Sequence, residues 1–129
     1  MRRVTLLALA LALACSTTEE RASAPAEPES PAAAFARDPA AVARGRSIFI
    51  GTCGAYCHST KNVERDAPSL FDCEWKHGGS DAQIFASISN GVPNTRMPAF
   101  TGALPQGDDD LWRVVAYLRS ASECKAGKR

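Results

Sequence analysis

Cys53-Gly54-Ala55-Tyr56-Cys57-His58 is the stretch on which the reading of this chain turns: two thiols with a histidine directly behind the second. That arrangement is how a polypeptide grips a haem covalently, the thiols reaching the porphyrin edge and the imidazole rising beneath the iron. Two residues usually separate the cysteines, and here there are three. A thiol needs only to reach a vinyl group, whereas the histidine must stand under the metal. The adjacency of Cys57 and His58 is therefore the stricter requirement, and it is met. The additional residue is expected in the loop between the thiols, where Gly54 and Ala55 are small enough for the backbone to bulge without crowding the ring.

A second axial ligand follows from counting. Methionine occurs twice, at Met1 and Met97, and Met1 belongs to a leader that export would remove. Met97 lies in Asn94-Thr95-Arg96-Met97-Pro98-Ala99-Phe100, a loop signal. Pro98 lacks an N–H and pushes Met97 towards an extended backbone, which suits a side chain pointed inward from a strap. A thioether opposite an imidazole favours ferrous iron and raises the potential, the chemistry of an electron carrier.

On these residues the chain resembles the class I c-type cytochromes, in particular the small single-haem electron carriers of bacteria. The resemblance covers roughly Asp38 to Ala121. It rests on Gly45 to Phe49, on the Cys53, Cys57 and His58 group, on Ala67-Pro68-Ser69-Leu70, and on Met97-Pro98 followed by a terminal helix. It implies an all-α fold, three to four helices packed around one covalently bound haem c. Cys53 and Cys57 would hold the ring, and His58 and Met97 the iron. The carbonyl of Pro68 would receive the ring N–H of His58, fixing its tautomer and raising its basicity. The implied role is one-electron transfer between redox proteins, with no substrate and no catalytic residues. A quinoprotein dehydrogenase is the donor the resemblance suggests, and a terminal oxidase or another cytochrome the acceptor.

The ends of the 129-residue chain suggest export. Met1-Arg2-Arg3 is a positive start, Val4 to Ala14 is a short apolar run, and Cys15 follows at once. The run is too short to span a bilayer and reads as a signal peptide over residues 1–14. Leu11-Ala12-Leu13-Ala14 before Cys15 resembles the lipobox of bacterial lipoproteins, in which the cysteine is acylated; Ala12 stands where that family prefers leucine. Ser16 behind it resembles lipoproteins sorted to the outer membrane. The expected location is thus periplasmic, with a lipid anchor at Cys15. Residues 15–37, rich in Ala, Pro, Ser, Thr and Glu, read as a flexible tether, and residues 38–129 as the cytochrome domain. Its roughly 90 residues would make a thin core without a filler such as haem.

Five cysteines are present. One is assigned to lipid and two to haem, which leaves Cys73 and Cys124 to pair as a disulfide in an oxidising compartment. The formal charge of +1 counts Arg2 and Arg3 of the leader; without them the balance tips slightly negative. No strong basic field exists, which argues against nucleic acid as a partner.

Three helices are legible. Asp38-Pro39 opens the first, with Asp38 as N-cap and Pro39 at the first position. Gly45 in it matches the family's crossing of first and last helices. Ser80 and Gln83 form a capping box, Ile84, Phe85 and Ile88 recur at helical spacing, and Gly91 stops the element. The last helix begins near Asp108-Asp109-Asp110, read as a solvated start favoured by the helix dipole and not as a calcium loop. Leu111, Val114, Val115 and Leu118 make its apolar face, flanked by Trp112 and Tyr117. His77, in the turn-like Trp75-Lys76-His77-Gly78-Gly79, reads as a surface histidine, yet it alone could replace Met97 on the iron. Trp75 and Trp112 read as packing residues. Tyr56 either shields a thioether edge or is an exposed loop residue, and Arg96 either pairs with a propionate or is solvated.

Two rivals remain open at this level. Cys53, Cys57, His58 and Cys73 would make a chemically good structural zinc set, although adjacent Cys57 and His58 chelate a tetrahedral ion awkwardly and Met97-Pro98 would go unexplained. The other rival keeps the haem but leaves one iron position open for ligand sensing or catalysis.

Overall fold

A computed structural model describes residues 29–61 and 67–122 of the chain. Among them the regular elements are helices: α1 (Pro31–Ala36), α2 (Pro39–Ile48), α3 (Asp81–Asn90) and α4 (Asp108–Ala121), with a π-helical segment at Phe49–Gly54 running on from α2. Every other helix packs against α4. Its sequence explains why: Leu111, Val114, Val115, Ala116, Tyr117 and Leu118 are all buried, so the apolar surface spreads beyond one stripe and needs neighbours on several sides.

The crossing of α2 and α4 is the closest contact. A β-carbon placed on Gly45 would lie 2.0 Å from the carbonyl oxygen of Arg113 and 2.5 Å from its carbon. Only glycine lets the two backbones meet this way. Beside it, the carboxylate of Asp110 is fully buried, at 0% exposure. It accepts from Arg44 Nε at 2.6 Å and Nη2 at 2.8 Å, from Arg113 Nη1 at 3.0 Å, and from the backbone N–H of Gln106 at 3.1 Å. The reading of all three helix-start carboxylates as solvated is corrected at this one. Asp110 falls on the same stripe as Val114 and Leu118, and α2 covers it, so it is buried with its charge fully partnered. The Asp110 carboxyl is held down to about 2, chiefly by hydrogen bonds from Arg44, against the upward push of its burial.

α1 corrects the expected start of the folded part. Ser30 caps it by accepting from Ala33 N–H at 3.1 Å, Pro31 takes the first position, and Ala32 is 1% exposed. The Phe35 ring lies under the Arg113 guanidinium, 4.5 Å from its centre. A six-residue helix cannot hold itself together in water; this one is held by α4 and by the Ser30 hydroxyl donating to Asp81. Asp81 also accepts from Arg119 Nε at 2.6 Å, so one carboxylate ties the ends of α1, α3 and α4. A packed helix thus lies ahead of Asp38, inside the stretch read as tether. The leader, Cys15, most of that tether and Cys124 lie outside the described residues.

The cap expected for α2 is present, Asp38 accepting from Ala40 N–H at 2.9 Å. The box opening α3 is also there: Ser80 Oγ accepts from Gln83 N–H at 3.2 Å, and Gln83 Oε1 from Ser80 N–H at 3.0 Å. Phe85 of α3 stacks on Trp112 of α4 with ring centres 4.0 Å apart. Phe49, Phe71 and Tyr117 make a second aromatic group, Phe49 lying 5.6 Å from each of the others. Tyr117 is therefore core and not a flank.

Candidate haem site

The two thiols and the histidine come from the point where α2 unwinds. Beyond Ile48 the helix widens into π turns, and the carbonyl of Cys53 accepts from both Cys57 N–H at 3.1 Å and His58 N–H at 3.0 Å. Residues four apart on a helical turn share a face, and Cys53 and Cys57 both line the same cavity. The third intervening residue is absorbed by this widened turn, not by a bulged loop; π turns accommodate one additional residue in this way. Gly54 sits tightly inside it, where a β-carbon would meet Thr60 Cγ2 at 3.0 Å and the Phe49 carbonyl at 3.4 Å.

His58 is buried. Its Nδ1 lies 3.0 Å from the carbonyl oxygen of Pro68. With Nδ1–H donating there, Nε2 is left as the basic nitrogen and the ring is held in one orientation. Burial pushes the Cys53 thiol up to about 11, with Cys57 adding to it, so Cys53 stands as a neutral thiol on the cavity wall.

Met97 reaches the cavity from elsewhere. Its strap leaves α3 at Gly91, whose φ is 70° and whose hypothetical β-carbon would strike the Met97 carbonyl oxygen at 2.7 Å. Gly91 thus ends the helix and lets the strap fold back onto it. Phe100 N–H donates to Ile88 O at 3.1 Å and Thr101 N–H to Ser89 O at 3.2 Å, pinning the far end of the strap to α3.

Between these walls lies a cavity of about 380 Å³, floored by Phe49, Ile84, Ile88, Val114 and Leu118 and reached by Cys53, Cys57, His58, Pro68 and Met97. All five residues singled out in the sequence are brought together. His77 and Arg96 are exposed and stand at the rim. Tyr56 is 80% exposed and is not part of the lining of this cavity. Cys53, Cys57, His58 and Cys73 are not gathered into a group able to hold a metal ion, which removes the basis of the zinc alternative. Sequence reading passed over Thr95, which bridges the strap; a threonine two residues before Met97 in a turn is the local signal that marked it.

The residues present fit a haem. At the roughly 24 cal/mol per Å³ found for core cavities, a void of this size left unfilled would cost about as much as a small domain's whole stability. Its lining is mainly apolar at the floor, and its walls include two thiols, one carbonyl-oriented imidazole and one thioether, with His77, Lys76 and Arg96 among the polar residues around them. That set suits porphyrin vinyl groups and an iron.

Residues 40–118 match the family described as Cytochrome C oxidase, cbb3-type, subunit III. The chain belongs to this family of cytochromes c. Among curated relatives, the Cbb3-type cytochrome c oxidase subunit CcoP of Rubrivivax gelatinosus is 34% identical over 93 residues, which is 71% of this chain and 30% of that protein. The cytochrome thus spans under a third of that relative's length. Its fold is shared with cytochrome cL of Methylophaga aminisulfidivorans, at a TM-score of 0.60 and 23% identity, over 68% of this chain and 57% of the other. Cytochrome cL of Hyphomicrobium denitrificans matches at 0.59 and 22%, over 71% and 52%. Covalently attached haem c is the cofactor of this cytochrome, and its helical fold is that of class I.

Proposed function

We propose that this cytochrome carries single electrons between redox proteins through one haem c, with no substrate of its own. The observation that carries the reading is the placement of Cys53, Cys57 and a carbonyl-oriented His58 on one cavity wall and Met97 on a separate strap. When bound, the haem supplies a ferric–ferrous couple. Cys53 and Cys57 would hold the ring through thioethers. His58 would offer Nε2 to the iron, because the Pro68 carbonyl accepts from Nδ1–H, and Met97 would offer its sulfur from the strap. With both of these side chains on the iron, exogenous ligands would be kept off it. That favours electron transfer over catalysis or ligand sensing.

The anchoring reading completes the proposal. Export under residues 1–14, acylation at Cys15 and the tether that follows it would hold the domain at the periplasmic side of a membrane, the outer one by its Ser16 signal. Tethering raises the effective concentration of haem near membrane-bound partners. An oxidase-type acceptor is supported by the name of the curated relative, an oxidase subunit; a quinoprotein dehydrogenase is proposed as donor by the family resemblance. No helix among the described residues is long and apolar enough to cross a membrane. Cys73 and Cys124 are proposed to pair, a reading supported by Cys53 and Cys57 being the free thiols among the described cysteines.

The test is Met97→Ala in holoprotein matured with cytochrome c assembly machinery. The haem should stay attached, the potential should fall, and carbon monoxide should bind the reduced iron. An unchanged potential with a closed iron would move the sixth ligand to another residue. A pyridine haemochrome on the same material reports one haem per chain and two saturated thioethers if both cysteines react.

A further inference from the structure

The strap that presents Met97 is closed on itself by one hydroxyl. Thr95 Oγ1–H donates to the carbonyl of Val92 at 2.7 Å, and the same oxygen accepts from the N–H of Met97 at 3.1 Å. The two arms are further joined by Thr95 N–H to Val92 O and by Val92 N–H to Met97 O, each at 3.2 Å. Residues from Pro93 to Arg96 are exposed, so burial does not hold this loop in place. Asn94 at its tip adopts φ 60°, a conformation that asparagine tolerates and that turns the chain back towards Thr95.

We infer that Thr95 is a positioning residue for the iron's sixth ligand: its hydroxyl, bridging Val92 O and Met97 N, holds the methionine sulfur towards the metal. The inference rests on Met97 being that ligand. The physical argument concerns the population of a detached state. A residue on an exposed loop leaves its ligand position whenever the loop opens, and opening must break both of the bridge's hydrogen bonds. Each such bond is worth about 1 kcal/mol net, less where water competes. Removing the bridge raises the open fraction, and an external ligand that binds only the open form gains apparent affinity in proportion.

The experiment is an imidazole titration of the oxidised holoprotein, comparing wild type with Thr95→Val, Thr95→Ser and Met97→Ala. Thr95→Val keeps the shape and removes the donor and acceptor; it should bind imidazole about fivefold more tightly, the worth of roughly one hydrogen bond. Thr95→Ser restores the hydroxyl and should return the affinity to wild type. Rescue by serine is the result that general loosening of the fold would not give. Equal affinity in Thr95→Val and wild type, with Met97→Ala binding far more tightly than both, would overturn the positioning role and leave the ligand assignment standing. If Met97→Ala itself binds like wild type, the ligand assignment fails and this inference with it. Thr95 is exposed, so both of its variants are expected to fold.

Discussion

The two walls of the haem cavity are built by opposite means. The His58 wall is a continuation of α2, buried, closed by a carbonyl on the imidazole, and backed by a helix crossing so tight that one backbone lies on another. The Met97 wall is an exposed strap whose geometry depends on one glycine and a few hydrogen bonds. A ligand supported by packing has no low-energy alternative, whereas one supported by a solvated loop has many. The contrast teaches that the strap is the looser wall of the cavity, so that substitutions behind His58 and substitutions in the strap should separate in their effects.

The largest break is expected behind the histidine wall. Gly45→Leu must drive α2 away from Arg113, and overpacking against backbone should cost about 3 kcal/mol or more. Denaturant unfolding of the holoprotein measures it, and a loss under 1 kcal/mol would mean that the helices can slide apart freely.

Asp110→Asn comes next. It leaves Arg44 and Arg113 facing a neutral amide in a buried site, at an expected cost of roughly 2–3 kcal/mol, discounted because Arg44 is partly solvated. The pH dependence has a definite sign. A folded-state pKa near 2 lies below the unfolded value of about 3.9, so the contribution is complete above that unfolded value and is lost as pH falls towards the folded one. Wild type should lose this increment on acidification through that window, and Asp110→Asn should not show it.

The smallest effect on stability, and the one that separates the two walls, belongs to Gly91→Ala. The new methyl would meet Met97 O and the following peptide at a positive φ, costing on the order of 1–2 kcal/mol. The sharper readout is the potential, which should fall as the strap shifts while the haem stays attached. A potential equal to wild type would show that the strap relaxes without moving the sulfur.

What could be read from sequence was what is decided locally or by recognised spacing. The box of Ser80 and Gln83, the stop at Gly91 and the cap at Asp38 each involve residues within a few positions. The Gly45 crossing and the Pro68 carbonyl came from likeness to a known pattern, and both contacts are present in the fold. What escaped reading depends on distant partners. Asp110 looked solvated because its partner Arg44 is 66 residues away, and α1 looked like tether because its stability comes from Asp81 and α4, not from its own alanines. The widened turn at Phe49–Gly54 carries no composition signal, since π geometry answers to the spacing of Cys53 and Cys57 and to the packing around them.

α1, α2 and α3 all pack on α4, and the same helix supplies Val114 and Leu118 to the cavity. The element that gathers the bundle is thus also one side of the pocket. Undocking α4 would remove that side together with the packing, so pocket and bundle are one cooperative unit and not a site grafted onto a finished scaffold.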